Sequence, residues 1–249
     1  MSASQQSKLS RLAVIGCGAA AKEFFLPALQ RYSGYQDLVT VIDRTQEQAE
    51  SVARSFGIKQ FGTDYRDVVD HVDAAIIATP HTLHAEQALH FLESGKHVLV
   101  EKPIGMNPDE VSRMLAASAV NEALLTVNNY RRLFPAYRRV HEMLESRQLG
   151  EIRAITIHDG TKFAWQSVSS FYVRDPQARG VLLDRGAHTV DVLGWWLGER
   201  PRVVSAELDS IGQVEGLVNL QLSCRDVSIS LKFSRFQRLE NVYKIECDN

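Results

Sequence analysis

Between residue 11 and residue 128, short apolar runs alternate with stretches whose apolar residues recur at helical spacing. The runs Arg11–Ile15, Leu38–Ile42, Asp73–Ala78, His97–Val100 and Leu124–Val127 read as strands. Between them, Ala20–Tyr32, Gln46–Phe56, Leu83–Ser94 and Asp109–Asn121 read as helices. Gly95 supplies a stop after the third of these, and Pro108 a start before the fourth. Strands this apolar need cover on both faces, so the pattern predicts a doubly wound parallel sheet with helices on each side.

The pattern changes near residue 130. Pro135–Arg147 reads as a helix closed near Gly150, and Glu151–His158 as a half-buried strand. Val181–Leu197 is helical and very apolar on one side. Val203–Leu208, Leu217–Leu222 and Val242–Cys247 read as strands, and Val227, Ile229, Leu231 and Phe233 alternate strictly. The fold class expected is therefore α/β. A parallel-sheet domain over 1–128 precedes an α+β domain over 129–249, whose open sheet is mostly antiparallel.

Composition narrows the class. The chain has 249 residues, 45% hydrophobic and 23% charged, which are ordinary globular values. With 28 basic and 30 acidic residues the net charge is -2, which argues against a nucleic-acid partner. Cys17, Cys224 and Cys247 are too few and odd in number for a disulfide framework, so a reducing cytoplasm is expected. No apolar run is long enough to span a membrane, and the first residues lack the apolar core of a signal peptide. No membrane partner is expected.

Chemistry enters at Gly16-Cys17-Gly18-Ala19-Ala20-Ala21, which follows the first strand and opens the first helix. It fits G-x-G-x-x-G/A in the strand–turn–helix setting that motif requires. Gly16 permits the tight turn, Gly18 lets backbone approach a pyrophosphate, and Ala21 keeps helix and strand close. The helix N-terminus offers free N–H groups to phosphate. Asp43 ends the second strand, where an acid binds ribose hydroxyls and favours NAD(H). Arg44 follows and leaves NADP(H) open.

Three further signals follow. Thr79-Pro80-His81-Thr82-Leu83-His84 and Glu101-Lys102-Pro103 stand at the carboxyl ends of the third and fourth strands, the ligand edge of such sheets. Asp184 and His188, in Asp184-Arg185-Gly186-Ala187-His188, fall one turn apart on a helix and share a face.

With these pieces in order, the chain resembles the Gfo/Idh/MocA family of NAD(P)-dependent oxidoreductases. The resemblance implies a Rossmann domain followed by an α/β domain with a large open sheet. It places Lys102 at the nicotinamide ribose and the reacting oxygen, makes His188 the acid/base, and gives Asp184 a substrate hydroxyl. It puts Glu101 and Pro103 in the loop's shape and His84 near the cofactor, with Thr79 and Pro80 on the same edge. Histidine titrates near neutrality, which suits the proton transfer that accompanies hydride transfer from an alcohol. Taken singly, Lys102 reads equally as a loop lysine, Asp184 as a cap or a partner of Arg185, and His188 as a core histidine. Their order and spacing together favour the functional reading.

The segment Asn128–Pro135 is similar to the family's domain junction; counting back from Pro135, Arg132 aligns best, while Tyr130 stands where the family often has Asn. Tyr130, Arg132, Trp165 and Tyr172 are taken as substrate-pocket residues, and Trp195 and Trp196 as packing. His81 and His84, with His90 nearby, lack a third ligand at a recognised spacing, so no metal is expected. Cys17 is given no redox role.

Family members commonly continue past the point where this sequence ends, at Ile245–Asn249, so the second sheet is expected to be shortened. A sheet edge left open needs cover, which predicts a homo-oligomer through the second domain. The function expected is hydride transfer between a nicotinamide and a secondary alcohol or ketone of a sugar, sugar acid or cyclitol. The rivals are an NAD-dependent glycosidase of the same fold and a non-catalytic NAD(P)-binding sensor or assembly protein.

Overall fold

The computed structural model describes residues 10–162, 176–209 and 214–249. The chain divides into two units, residues 1–128 and 129–249, each with its own sheet.

The first unit holds strands β1 (Leu12–Ile15), β2 (Val39–Ile42), β3 (Gln60–Gly62), β4 (Ala74–Ile77), β5 (His97–Val100) and β6 (Leu125–Val127). All pair in parallel, in the order β3-β2-β1-β4-β5-β6. The helices are α1 (Leu26–Leu29), entered through a π-helical turn at Ala21–Phe25, then α2 (Tyr35–Leu38), α3 (Gln46–Phe56), α4 (His84–Glu93) and α5 (Pro108–Val120).

Alternation along β1 shows why the sheet is covered twice. Ala13 and Ile15 enter one buried cluster with Leu89, Phe91, Leu92 and Met114, while Leu12 and Val14 enter another with Phe25, Leu26, Val52 and Ala53. Each fully buried large side chain contributes about 1.5–3 kcal/mol. Helix starts follow local chemistry. Asn107 accepts the Glu110 N–H at 2.9 Å ahead of Pro108, and its own amide donates back to the Glu110 carboxylate at 2.9 Å. Strand β3 has no counterpart among the apolar runs, because Gln60 and Phe61 lie exposed on the sheet's edge.

The second unit holds β7 (Ile152–Gly160), β8 (Arg202–Leu208), β9 (Leu217–Cys224), β10 (Val227–Ser234) and β11 (Val242–Cys247), with α6 (Pro135–Glu145) and α7 (Ala187–Leu197). The order is β11-β7-β10-β9-β8, antiparallel except between β7 and β10. One face buries Ile155, Ile157, Leu220, Leu222, Ile229, Leu231 and Phe233 beneath Val181 and Leu193. The alternate positions, such as Thr156, Gln221, Ser228 and Ser230, are polar and less buried. Among the described residues no helix is long and apolar enough to cross a membrane.

Candidate functional site

In the first unit the glycine turn leaves β1 with Gly16 at φ +95°. A Cβ there would meet the Ala78 carbonyl at 2.8 Å and the Thr79 nitrogen at 2.9 Å. Only glycine fits so close to the chain leaving β4. At Gly18 an added Cβ would meet nothing within 4 Å. That open space over the start of the helix is what a pyrophosphate needs, so the turn fits a dinucleotide. Ala21 is fully buried against the sheet.

Asp43 sits at the end of β2. Its Oδ2 accepts the Cys17 N–H at 2.9 Å, and its Oδ1 accepts the Thr45 N–H at 3.3 Å. The Gln48 amide donates to the Cys17 carbonyl at 2.8 Å. Burial, with Asp43 beside it, pushes the Cys17 thiol up to about 12. Arg44 is exposed.

The chain leaving β4 turns at Pro80 into a 3-10 turn, His81–Leu83, that leads into α4. The Thr79 hydroxyl donates to the Gln87 side-chain oxygen at 2.7 Å. His84 is buried, with Nδ1 at 2.8 Å from the Pro103 carbonyl and Nε2 at 3.0 Å from the Thr79 carbonyl. Beyond β5, one Glu101 oxygen accepts from the Asn128 amide at 2.5 Å and the other accepts the Lys102 N–H at 3.1 Å. Burial raises the Glu101 carboxyl against the pull of Asn128 and Lys102.

In the second unit, Asp184 lies in a π-helical turn, Leu182–Gly186, and His188 in the α-helix that follows. The turn holding Asp184 is thus wider than the regular α-helix expected for the pair. Gly186 allows it, since a Cβ there would meet Leu182 at 2.7 Å and the Phe233 ring at 3.6 Å. Asp184 pairs with the buried Arg235 at 3.7 Å. His188 lies edge-on to the Tyr130 ring, centroids 4.8 Å apart.

Of the junction residues, Arg132 holds Asp191 with two nitrogens, at 2.8 and 2.6 Å, and Asn129 donates to the same carboxylate at 2.9 Å. Arg131, which carried no assignment, is more deeply placed. It donates to Asp159 at 3.0 Å, to the Tyr243 hydroxyl at 2.5 Å and to Thr189 at 3.3 Å. Arg185 donates to the other Asp159 oxygen and to Thr161. Burial works against the Arg131 charge, but Tyr243 and Asp159 hold it firmly. Arg131 and Arg185 thus adjoin Tyr130 and Asp184 along the chain, and both are anchored on Asp159 near the end of β7. Only the doubled arginine and a lone aspartate ending an apolar strand hint at this in the sequence. Trp165 and Tyr172 lie outside the described residues.

A parallel sheet with a glycine turn and a strand-end acid defines a dinucleotide-binding oxidoreductase architecture. Residues 10–129 match the Gfo/Idh/MocA oxidoreductase family's NAD-binding Rossmann fold, and residues 137–249 match the GFO/IDH/MocA C-terminal domain. The chain belongs to this family of NAD(P)-dependent oxidoreductases. The 4-carboxy-2-hydroxymuconate-6-semialdehyde dehydrogenase of Sphingobium sp. is 30% identical over 227 residues, covering 89% of this chain and 68% of that protein. The inositol 2-dehydrogenase of Rhizobium meliloti is 28% identical over 198 residues, covering 79% of this chain and 57% of that protein. The chain thus spans less than two thirds of the second relative. Among solved structures, KijD10, a 3-ketoreductase from Actinomadura kijaniata in complex with NADP and TDP-benzene, superposes with a TM-score of 0.79 at 27% identity. That match covers 96% of this chain and 74% of KijD10. The WlbA dehydrogenase from Bordetella pertussis, at 22% identity, shares the fold with a TM-score of 0.87 over 97% of this chain and 72% of its own.

Proposed function

We propose that the protein transfers hydride between a nicotinamide dinucleotide and a secondary alcohol or ketone of a sugar, sugar acid or cyclitol. One observation carries this reading. The glycine turn, Asp43, the Thr79–Pro80 turn and the Lys102 loop all leave carboxyl ends of parallel strands, β1, β2, β4 and β5. The strand order reverses direction at β1 and β4, the point at which open parallel sheets take their ligands. Relatives named inositol 2-dehydrogenase, levoglucosan dehydrogenase and 1,5-anhydro-D-fructose reductase support the substrate class.

When bound, the nicotinamide supplies the hydride donor or acceptor. In this reading Gly16, Gly18, Ala19, Ala20 and Ala21 receive the pyrophosphate on free N–H groups. Asp43 takes the adenosine ribose hydroxyls. Its carboxylate is held by two backbone N–H groups and cannot easily withdraw from a 2′-phosphate, which supports NAD(H) over NADP(H). The exposed Arg44 speaks for NADP(H). Thr79, Pro80, His84 and Glu101 shape the cofactor edge.

Lys102 polarises the reacting substrate oxygen. His188 takes up and returns the hydroxyl proton, oriented by the Tyr130 ring beside it, and Asp184 holds a neighbouring hydroxyl. Tyr130, Arg132, Trp165 and Tyr172 are assigned to the substrate side. The reading includes a homo-oligomer through the second sheet, supported by Val203 and Val204, 68% and 67% exposed on edge strand β8.

Titration with NADH and NADPH, followed by cofactor fluorescence, tests the first half. Tighter binding of NADH is expected, and binding of neither overturns the reading. A dehydrogenase assay over a polyol panel tests the second half. His188→Ala is expected to abolish most turnover while NADH binding persists.

A further inference from the structure

We propose that His84 is a positioning residue for Lys102, its ring tying the turn after β4 to the loop after β5. The proposal rests on the role given to Lys102 above. Lys102 is flanked by two anchors. Before it, the Glu101 side chain is fixed by Asn128 and by the Lys102 N–H itself. After it, the Pro103 carbonyl is fixed by His84. His84 in turn belongs to α4, as does Gln87, which accepts the Thr79 hydroxyl. The loop bearing Lys102 is therefore framed by a helix of the core.

The tie follows from the acceptors. Nδ1 lies 2.8 Å from the Pro103 carbonyl and Nε2 3.0 Å from the Thr79 carbonyl, and the side chain is 1% exposed. A carbonyl oxygen only accepts, and a neutral imidazole carries one N–H, which on Nδ1 donates across the shorter contact to Pro103. Burial above all, with His81 on the turn before α4 and Lys102 on the facing loop, outweighs the two carbonyl bonds and holds the imidazole down at about 4, so the ring is neutral near pH 7. Glu101, beside Lys102, is the acidic group of that loop.

Nitrogen-15 NMR of the histidine rings in the intact chain, without cofactor, reads the tautomer. A protonated Nδ1 and a bare Nε2 on His84 at pH 7 are expected; a bare Nδ1 overturns the tie to Pro103. Lysines labelled by reductive methylation with carbon-13 read the positioning, with the Lys102 signal identified by its loss in Lys102→Arg. His84→Phe, which keeps an aromatic ring and removes the donor, is expected to shift the Lys102 signal. His84→Gln, whose amide has two N–H donors, is expected to move it back toward the native position. An identical Lys102 signal in all three proteins overturns the positioning role. Should His84→Phe fail to fold, His84→Leu takes its place as the variant without a donor, and the tautomer of the wild-type ring tests the tie by itself. None of these readouts needs turnover, so their failure leaves the oxidoreductase reading standing. A tied loop in a chain that binds no nicotinamide would sink that reading alone.

Discussion

The Asp43 carboxylate accepts the backbone N–H of Cys17 at 2.9 Å, so the side chain assigned to the ribose also holds the turn assigned to the pyrophosphate. Asp43→Ala removes both roles, whereas Asp43→Asn keeps an oxygen for the turn. NADH affinity is expected to fall in both variants. Thermal stability is expected to fall clearly only in Asp43→Ala, by about 1–3 kcal/mol for the unsatisfied N–H. Cofactor titration and thermal melting separate the two roles; equal melting of both variants would show that the turn does not depend on Asp43.

The two glycines of that turn should respond oppositely. Gly16→Ala forces a Cβ within 2.8 Å of the Ala78 carbonyl at a positive φ, and is expected to destabilise the first unit by about 2 kcal/mol or more. Gly18→Ala meets nothing in the protein, so its melting curve should match wild type while NADH binding weakens. Denaturant melts beside fluorescence titrations provide the check.

Asp159 is shared by Arg131 and Arg185 with its side chain 9% exposed. Asp159→Asn keeps the shape and removes the charge that both guanidiniums need. Breaking a buried ion pair by one partner costs about 3–5 kcal/mol. A denaturant midpoint lowered to that extent is expected, and an unchanged midpoint would show the arginines to be satisfied elsewhere.

Cys17 should be chemically silent while the chain is folded. With its thiol pushed up to about 12, it stays protonated where free cysteine begins to ionise. Iodoacetamide at pH 8, read by mass spectrometry, is expected to spare Cys17 until denaturant is added. The sign for stability follows from the same shift. Below about pH 9 folded and unfolded chains both hold the proton. Above it the unfolded chain releases the proton first, so this thiol's contribution is lost as pH rises toward 12.

The strands of the first unit were legible because sheets covered on both faces select unbroken apolar runs, as in Leu12–Ile15 and Val39–Ile42. Gln60–Gly62 left no such mark, because an exposed edge strand has little to bury. The glycine turn was legible because its geometry excludes side chains at Gly16. The π-helical turns at Ala21–Phe25 and Leu182–Gly186 were not, since helical periodicity carries no sign of one extra residue per turn. The junction was half legible. Counting back from Pro135 drew attention to Arg132, which sits over Asp191, whereas the deeper anchor is Arg131. Adjacent arginines look alike in sequence, and only the partners Asp159, Thr189 and Tyr243, all distant along the chain, tell them apart.

The position of β7 has a consequence for biosynthesis. Among the described strands it is the first of its sheet to be made, and both of its neighbours, β10 and β11, follow β8 and β9. During translation β7 therefore leaves the ribosome with two unpaired edges, while β8 and β9 can already pair with one another. In the first unit, by contrast, strands find partners early, as β2 does with β1, β3 with β2 and β5 with β4. The second unit is thus the late-folding half of the chain, and β7 is the segment on which a nascent-chain chaperone has most to shield.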